Sequence, residues 1–566
     1  MIGSALVLLA SLAIPVHAQV AARTVSDVFQ RGEEAVWIFE ADGARIGHHA
    51  SRYLGRDELA GQDAHHFQGR CRVLTDARSG IEMLSLADLW TDDHGHPVRF
   101  VQQILVGEAY SRVDLEVAGK ESRARIVQGP SQREVQLDID PKAYLLANNY
   151  VSHIEILLAL APEGVDLQAQ LFSGNALQKL AYRVEAKGTF EDDVAGSPRR
   201  GFVYEDSLGE RLRMSDGRLL DVTVAAQKLV IRRTTERVEP FTIQAPEAQK
   251  RAVTFESEDV RIRRGDIEIA GTITKKKGSE GRLPAIFFVS GSGPQDRDGM
   301  SSGIDLGTRE ILDHLTTRGF LVLRVDDRGA GESSPLPTDA SFLDLVADAE
   351  TCLEFLAKRA DVDSQRIVLI GHSEGGQTAP ILATRHPKIA AVVLMAAPGR
   401  PILDVILDQN RLGLEASGLD AEAVELKLKS VRAFLTRLAS DEAIDPALLD
   451  AEERAALPSR AWIRSHAQQD PIATIAKVRC PVLVLQGGKD FQVSPEHDAR
   501  ALEKALVEAQ NPDHELRVFA DLDHLFKKTP GEKSELGDYW KVRPVDAEFL
   551  SVLATWLEKR VMSAVR

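Results

Sequence analysis

Cysteine is scarce in this chain: Cys71, Cys352 and Cys480 are the only three among 566 residues. Three thiols so far apart exclude a disulfide framework and a zinc site built on cysteine. Cys352 falls in a helical pattern and Cys480 opens a strand, so both read as buried free thiols; Cys71 belongs to another domain. A basic surplus is missing as well. With 69 Lys and Arg against 85 Asp and Glu, the net charge is -16. Nothing is left over to neutralise a phosphate backbone, which excludes nucleic acid as a partner. No segment reaches a comfortable transmembrane length, and there is no internal repeat or low-complexity tract.

What is present points to several domains. A chain of 566 residues with 44% hydrophobic and 27% charged residues carries two to four globular domains. Residues 1–18 form an apolar stretch without a charged side chain, ending in Val16-His17-Ala18. This resembles a signal peptide cleaved before Gln19, and it predicts an exported protein, periplasmic or secreted. No Lys or Arg precedes the apolar run, and no cysteine follows it to carry a lipid.

From 19 to 245 the pattern is strand-like. Short alternating runs such as 98–106 and 124–127 are separated by turn signals at 93–97, 128–130 and 215–217. Helical signal is confined mainly to 144–160, so the segment is expected to form a separate β-rich domain. Residues 246–252 read as a linker. After it, from 253 to 566, apolar runs at 285–289, 321–325, 367–370, 391–395, 482–485 and 516–519 alternate with helical patterns at 308–317, 342–359 and 494–509. Runs without strict alternation fit strands buried on both faces. The expected fold class is α/β, a doubly wound, mostly parallel sheet. Residues 400–475 break the alternation, being helical and charged. An insertion at the C-terminal ends of the strands would form a cap.

Residues 366–376 read Arg-Ile-Val-Leu-Ile-Gly-His-Ser-Glu-Gly-Gly. A β-branched run leads into Gly371-His372-Ser373-Glu374-Gly375 and then a helix-compatible segment, the strand–turn–helix context of a nucleophile elbow. A serine hydroxyl needs a base within hydrogen-bond reach and an acid to orient that base. Asp490, in Gly487-Gly488-Lys489-Asp490, follows one later strand; His524, in Asp521-Leu522-Asp523-His524, follows the next. Asp523 is the weaker candidate for the acid, because a sequence neighbour rarely reaches its own His ring. His372 reads as structural. His65, His66, His94, His96, His386, His466 and His514 read as turn or surface positions, and 92–96 as a solvated hairpin turn.

One oxyanion donor is expected from the Glu374 N–H. The other is expected from the glycine-rich loop 290–299, at Ser292 or Gly293. Asp326-Asp327-Arg328 reads as a buried Asp–Arg pair bracing that loop.

On these motifs, residues 253–566 resemble the α/β-hydrolase superfamily, in its bacterial carboxylesterase and serine aminopeptidase-like branch. They are Ser-Gly-Ser-Gly-Pro-Gln-Asp-Arg-Asp-Gly, Asp-Asp-Arg-Gly-Ala-Gly-Glu-Ser, Gly-His-Ser-Glu-Gly-Gly, Gly-Gly-Lys-Asp and Asp-His. The resemblance implies a Ser373, Asp490, His524 triad and a helical cap at 400–475. Ser290 stands where many relatives carry the His of a His-Gly pair. Nothing of this kind covers 19–245. The expectation is therefore an exported serine hydrolase of small-molecule esters, working through an acyl-enzyme without metal or organic cofactor. A peptidase, amidase or thioesterase with the same triad, and an envelope ligand-binding protein with a vestigial hydrolase domain, are the alternatives. Oligomeric state is open.

Overall fold

The computed structural model describes residues 23–562 apart from 60, 77–79, 129–130, 175–176, 195–196, 246–254, 302, 417, 446–448, 450–452 and 454–455. The expected signal peptide (1–18) and linker (246–252) lie outside the described residues. The chain divides into two compact units, with the division at residues 249/250.

The first unit is a fifteen-stranded sheet. Chain neighbours pair antiparallel nearly throughout, and the first strand, Glu34–Ala41, pairs with the last, Leu229–Thr234. The two edge strands, Ser131–Leu137 and Tyr144–Leu146, are consecutive in the chain. Six linking residues can span at most about 25 Å, whereas fifteen strands laid flat would extend about 65 Å. The sheet must therefore curl until its edges approach. The helix Val151–Leu160, buried along its whole length, packs in the same core as Trp37, Phe100, Phe172 and Tyr182. Its Glu155 is held by Arg233 Nη1 (2.5 Å) and the Leu219 N–H (3.0 Å).

The helical signal at 144–160 thus divides. Tyr144–Leu146 is a strand, parallel to Leu167–Ser173, and only Val151–Leu160 winds into a helix. A short apolar run buried on every side has no periodicity that separates the two. The 92–96 turn is exposed at Asp93 and His94, as expected, but His65, expected at a turn or surface position, is buried and donates from Nε2 to Asp93 (2.7 Å).

The second unit is an eight-stranded sheet. Its strands are β1 (Phe255–Arg264), β2 (Ile267–Lys276), β3 (Leu283–Val289), β4 (Leu321–Val325), β5 (Val362–His372), β6 (Ala391–Met395), β7 (Val482–Gly487) and β8 (His514–Phe519). They lie in the order β1-β2-β4-β3-β5-β6-β7-β8. The β1–β2 and β2–β4 pairs are antiparallel and the rest are parallel. This is the doubly wound sheet that the apolar runs predict.

Alternate side chains of the central strands point to opposite faces. Phe287, Leu369, Leu394 and Val484 join one core with the helices Phe342–Ala357 and Gly375–Arg385. Ile286, Ile370, Val393 and Leu485 join another with Thr308–Thr317 and Ala547–Leu557. Cys352 is buried, but Cys480 is only half-buried because it precedes the strand rather than lying within it. Register aligns the strand ends: Val289 lies opposite Gly371, and His372 opposite Met395. The loops after β3, β5 and β6 therefore leave the sheet at one level, the usual ligand edge of an open parallel sheet.

Candidate active site

Ser373 stands between β5 and the helix Gly375–Arg385 with φ +53°. A non-glycine residue in the left-handed region costs on the order of 1 kcal/mol or more and persists only where its surroundings enforce it. The enforcement is steric. A Cβ on Gly371 would sit 2.1 Å from the Gly375 carbonyl oxygen, and one on Gly375 would sit 2.2 Å from that of Val289. The Ser373 N–H donates to the Met395 carbonyl (2.9 Å), which ties the elbow to β6. The serine is half-buried, and among the described residues its hydroxyl has no hydrogen-bond partner.

Asp490 and His524 follow β7 and β8, on the same sheet edge. His524 Nδ1–H donates to Asp490 Oδ2 (2.8 Å), and both residues are buried. Asp490 is held from three more sides, by Gln486 Nε2 (2.8 Å) and by the N–H groups of Gln492 (2.8 Å) and Val493 (3.0 Å). Asp523 turns elsewhere. It accepts from Arg543 (2.6 Å) and from the N–H groups of Leu525 and Lys527, shaping the turn that carries His524. His372 lies under the His524 loop, its Nε2–H donating to the His524 carbonyl (3.0 Å). Burial pushes its pKa down to about 3, so the ring is neutral and serves as a fixed donor.

The loop after β3 lies against the serine: a Cβ on Gly291 would be 3.0 Å from Ser373 Cβ. The N–H groups of Ser292, Gly293 and Glu374 have no backbone acceptor among the described residues, and Gly293 has φ +81°. The loop is braced from below. Ser290 Oγ donates to Asp327 Oδ1 (2.6 Å), and the Gln295 N–H to Oδ2 (3.0 Å). Burial pushes the Asp327 carboxyl up to about 7 despite those bonds.

The expected Asp–Arg brace is distributed rather than internal to its motif. Asp326 pairs with Arg297 of the glycine-rich loop (2.7 Å), and Arg328 pairs with Asp348 of the next helix (2.6 Å). Adjacent residues cannot easily face each other, so each seeks a partner on a neighbouring element.

Sequence reasoning missed a buried polar group beside the elbow. The Glu374 side chain, considered only for its backbone, is buried, and its Oε2 accepts from Ser292 Oγ (3.0 Å). His466, expected at a surface-like position, is 1% exposed. It stacks flat on Phe342 at 4.0 Å and edge-on to Trp462 at 4.9 Å, and its Nδ1 lies 4.0 Å from Glu374 Oε2. Both His466 and Trp462 belong to the segment between β6 and β7, which holds the helices Ile402–Ala416, Ala421–Ala439 and Arg460–Ala467. No strand interrupts it among the described residues, and Leu407, Leu428, Phe434 and Leu438 give it a core of its own.

Residues 306–528 match the family model described as serine aminopeptidase, S33. The chain is 31% identical over 307 residues to esterase EstD of Thermotoga maritima, covering 54% of this chain and 68% of that protein. It is 26% identical over 223 residues to the α/β-hydrolase domain-containing protein WAV2 of Arabidopsis thaliana, covering 39% of this chain and 58% of that one. Among solved structures, the Pyrococcus furiosus esterase PF2001 aligns with a TM-score of 0.37 at 17% identity, over 57% of this chain and 97% of its own.

Proposed function

We propose, from the premise that this chain belongs to the α/β-hydrolase superfamily through its C-terminal unit, that it is an exported serine hydrolase cleaving carboxylic esters. Ser373 is the nucleophile, His524 the base and Asp490 its orienting acid. The support is a single juxtaposition: a serine held at φ +53° at the end of β5, on the sheet edge where His524 donates to Asp490 at 2.8 Å.

His524 Nε2 takes the hydroxyl proton as Ser373 Oγ bonds to the ester carbonyl carbon. The buried Asp490 carboxylate stabilises the imidazolium that results. The N–H groups of Glu374 and of Ser292 or Gly293 hold the oxyanion. Collapse expels the alkoxide, which leaves with the proton from His524. Water then repeats the sequence on the acyl-enzyme, regenerating Ser373.

Active-site titration with a fluorophosphonate tests the assignment. Stoichiometric labelling of the wild type and none of Ser373→Ala is expected; labelling of both, or of neither, would refute it. The serine aminopeptidase description of the matched model favours one second reading, amide cleavage by the same residues. Comparing p-nitrophenyl esters with aminoacyl anilides separates the two, and faster ester turnover is expected. Export rests on the composition of residues 1–18; recovery of the expressed protein from the cytoplasm with its first residues intact would overturn it.

A further inference from the structure

The group that sequence reasoning missed joins three elements of the site. Gln377, one turn into the helix after the elbow, directs its Nε2 to the carbonyls of Pro398 (3.4 Å) and Arg400 (3.3 Å). Its Oε1 is thereby left facing His466 Nε2, with which it is paired. An amide oxygen only accepts, so Nε2 of His466 carries the hydrogen and Nδ1 carries a lone pair. That Nδ1 is buried, has no hydrogen-bond partner, and faces the Glu374 carboxyl. The carboxyl in turn accepts from Ser292 Oγ in the expected oxyanion loop. A lone pair opposite a carboxylate is repulsive; a lone pair opposite a carboxylic acid is a hydrogen bond waiting to close.

We propose that Glu374 and His466 share one proton as a clasp, which holds the helix Arg460–Ala467 and the Ser292 loop together over Ser373 while the proton is present and releases them when it is lost. Glu374 and His466 are positioning residues in this scheme, acting through Ser292 and through the placement of the helix. The idea deepens the serine hydrolase assignment and rests on it for its catalytic readout.

The surroundings favour retention of the proton near neutrality. Burial pushes the Glu374 carboxyl up to about 7, with Ser292 and the facing Trp462 indole acting in the opposite direction. Burial also pushes His466 down to about 3, so the pair holds its proton on the carboxyl. Asp327, on the far side of the Ser290–Gln295 loop, adds a second buried carboxyl whose field couples to that of Glu374. Arg464 of the same helix is paired instead with Asp441, away from the cluster. Loss of the clasp proton would also set a full negative charge beside the oxyanion donors, where it opposes the charge developing in the transition state.

Two measurements on the full chain test the clasp. One is the second-order labelling rate by a neutral fluorophosphonate from pH 5.5 to 9; the other is hydrogen exchange of segment 460–467, corrected for intrinsic pH dependence. In the wild type, labelling should fall about tenfold per pH unit on the alkaline side, as for a single ionisation, and protection of 460–467 should fall with it. In Glu374→Gln the amide NH2 at the Oε2 position donates to His466 Nδ1 and to Ser292 Oγ, which accepts there instead of donating, at every pH. The variant should lack both changes. An alkaline fall or loss of protection that persists in Glu374→Gln, or its absence from the wild type, overturns the clasp. Failure of the wild type to label at any pH defeats the hydrolase assignment instead, and the exchange comparison still decides the clasp, because it needs no chemistry.

Discussion

At the residue scale, the Ser373, His524, Asp490 assignment has a graded prediction. Ser373→Ala should reduce ester turnover by about 10⁴-fold or more. Asp490→Asn should cost a comparable amount in kcat and lower Tm as well, because the amide NH2 cannot hold the imidazole in its working tautomer and faces the buried Gln486 Nε2 donor. Steady-state kinetics alongside thermal melts checks both. Asp327 makes a separate prediction about stability. Its folded carboxyl keeps its proton to about pH 7, whereas an unfolded aspartate releases it near pH 4. The folded state therefore binds more protons between those values, and this contribution to stability falls as pH rises through the window. Asp327→Asn should remove that slope, and the difference between variant and wild-type melts from pH 4.5 to 8 isolates it from carboxylates that act in the opposite sense. The strand-end positions of Asp490 and His524 were legible because their motifs are local. His466 was not, because what buries it is the ring of Phe342, more than a hundred residues earlier.

At the scale of elements, the elbow works through contacts too close for any side chain. Gly375→Ala would drive a methyl group to 2.2 Å from the Val289 carbonyl and 2.5 Å from that of Ser290. The expected result is a loss of about 3 kcal/mol together with loss of fluorophosphonate labelling, read by denaturant titration and gel. The helical insertion behaves as an element with its own interior. Phe434→Ala, which empties part of its core, should cost about 3 kcal/mol locally and raise protease sensitivity within 402–467. These helices were legible from their period and from the missing strand. Tyr144–Leu146 was misassigned because three buried apolar residues satisfy a helix and a strand equally well.

At the scale of the whole molecule, each of the two compact units has its own large core. Two unfolding transitions are expected by calorimetry rather than one. Residues 250–566 expressed alone should fold and keep fluorophosphonate labelling. Loss of labelling with retained circular dichroism would overturn that expectation. The curl of the fifteen-stranded sheet belongs to this scale too. It follows from the joining of its two edge strands by six residues, a constraint visible only once every strand has found its neighbours.

The sequence by itself determined the strand–turn–helix elbow around Ser373, the order of strands and helices in the C-terminal unit, and the change along the chain from a strand-rich to an alternating pattern. These are set by glycine sterics, hydrophobic period and turn chemistry, which act over a few residues. Tertiary structure decided which acid meets His524, which carboxyl braces the glycine-rich loop, and that Glu374 and His466 face each other in a buried cluster. Those outcomes depend on packing between elements distant in the chain, and on burial, which alone converts an ordinary glutamate into a group that keeps its proton near neutrality.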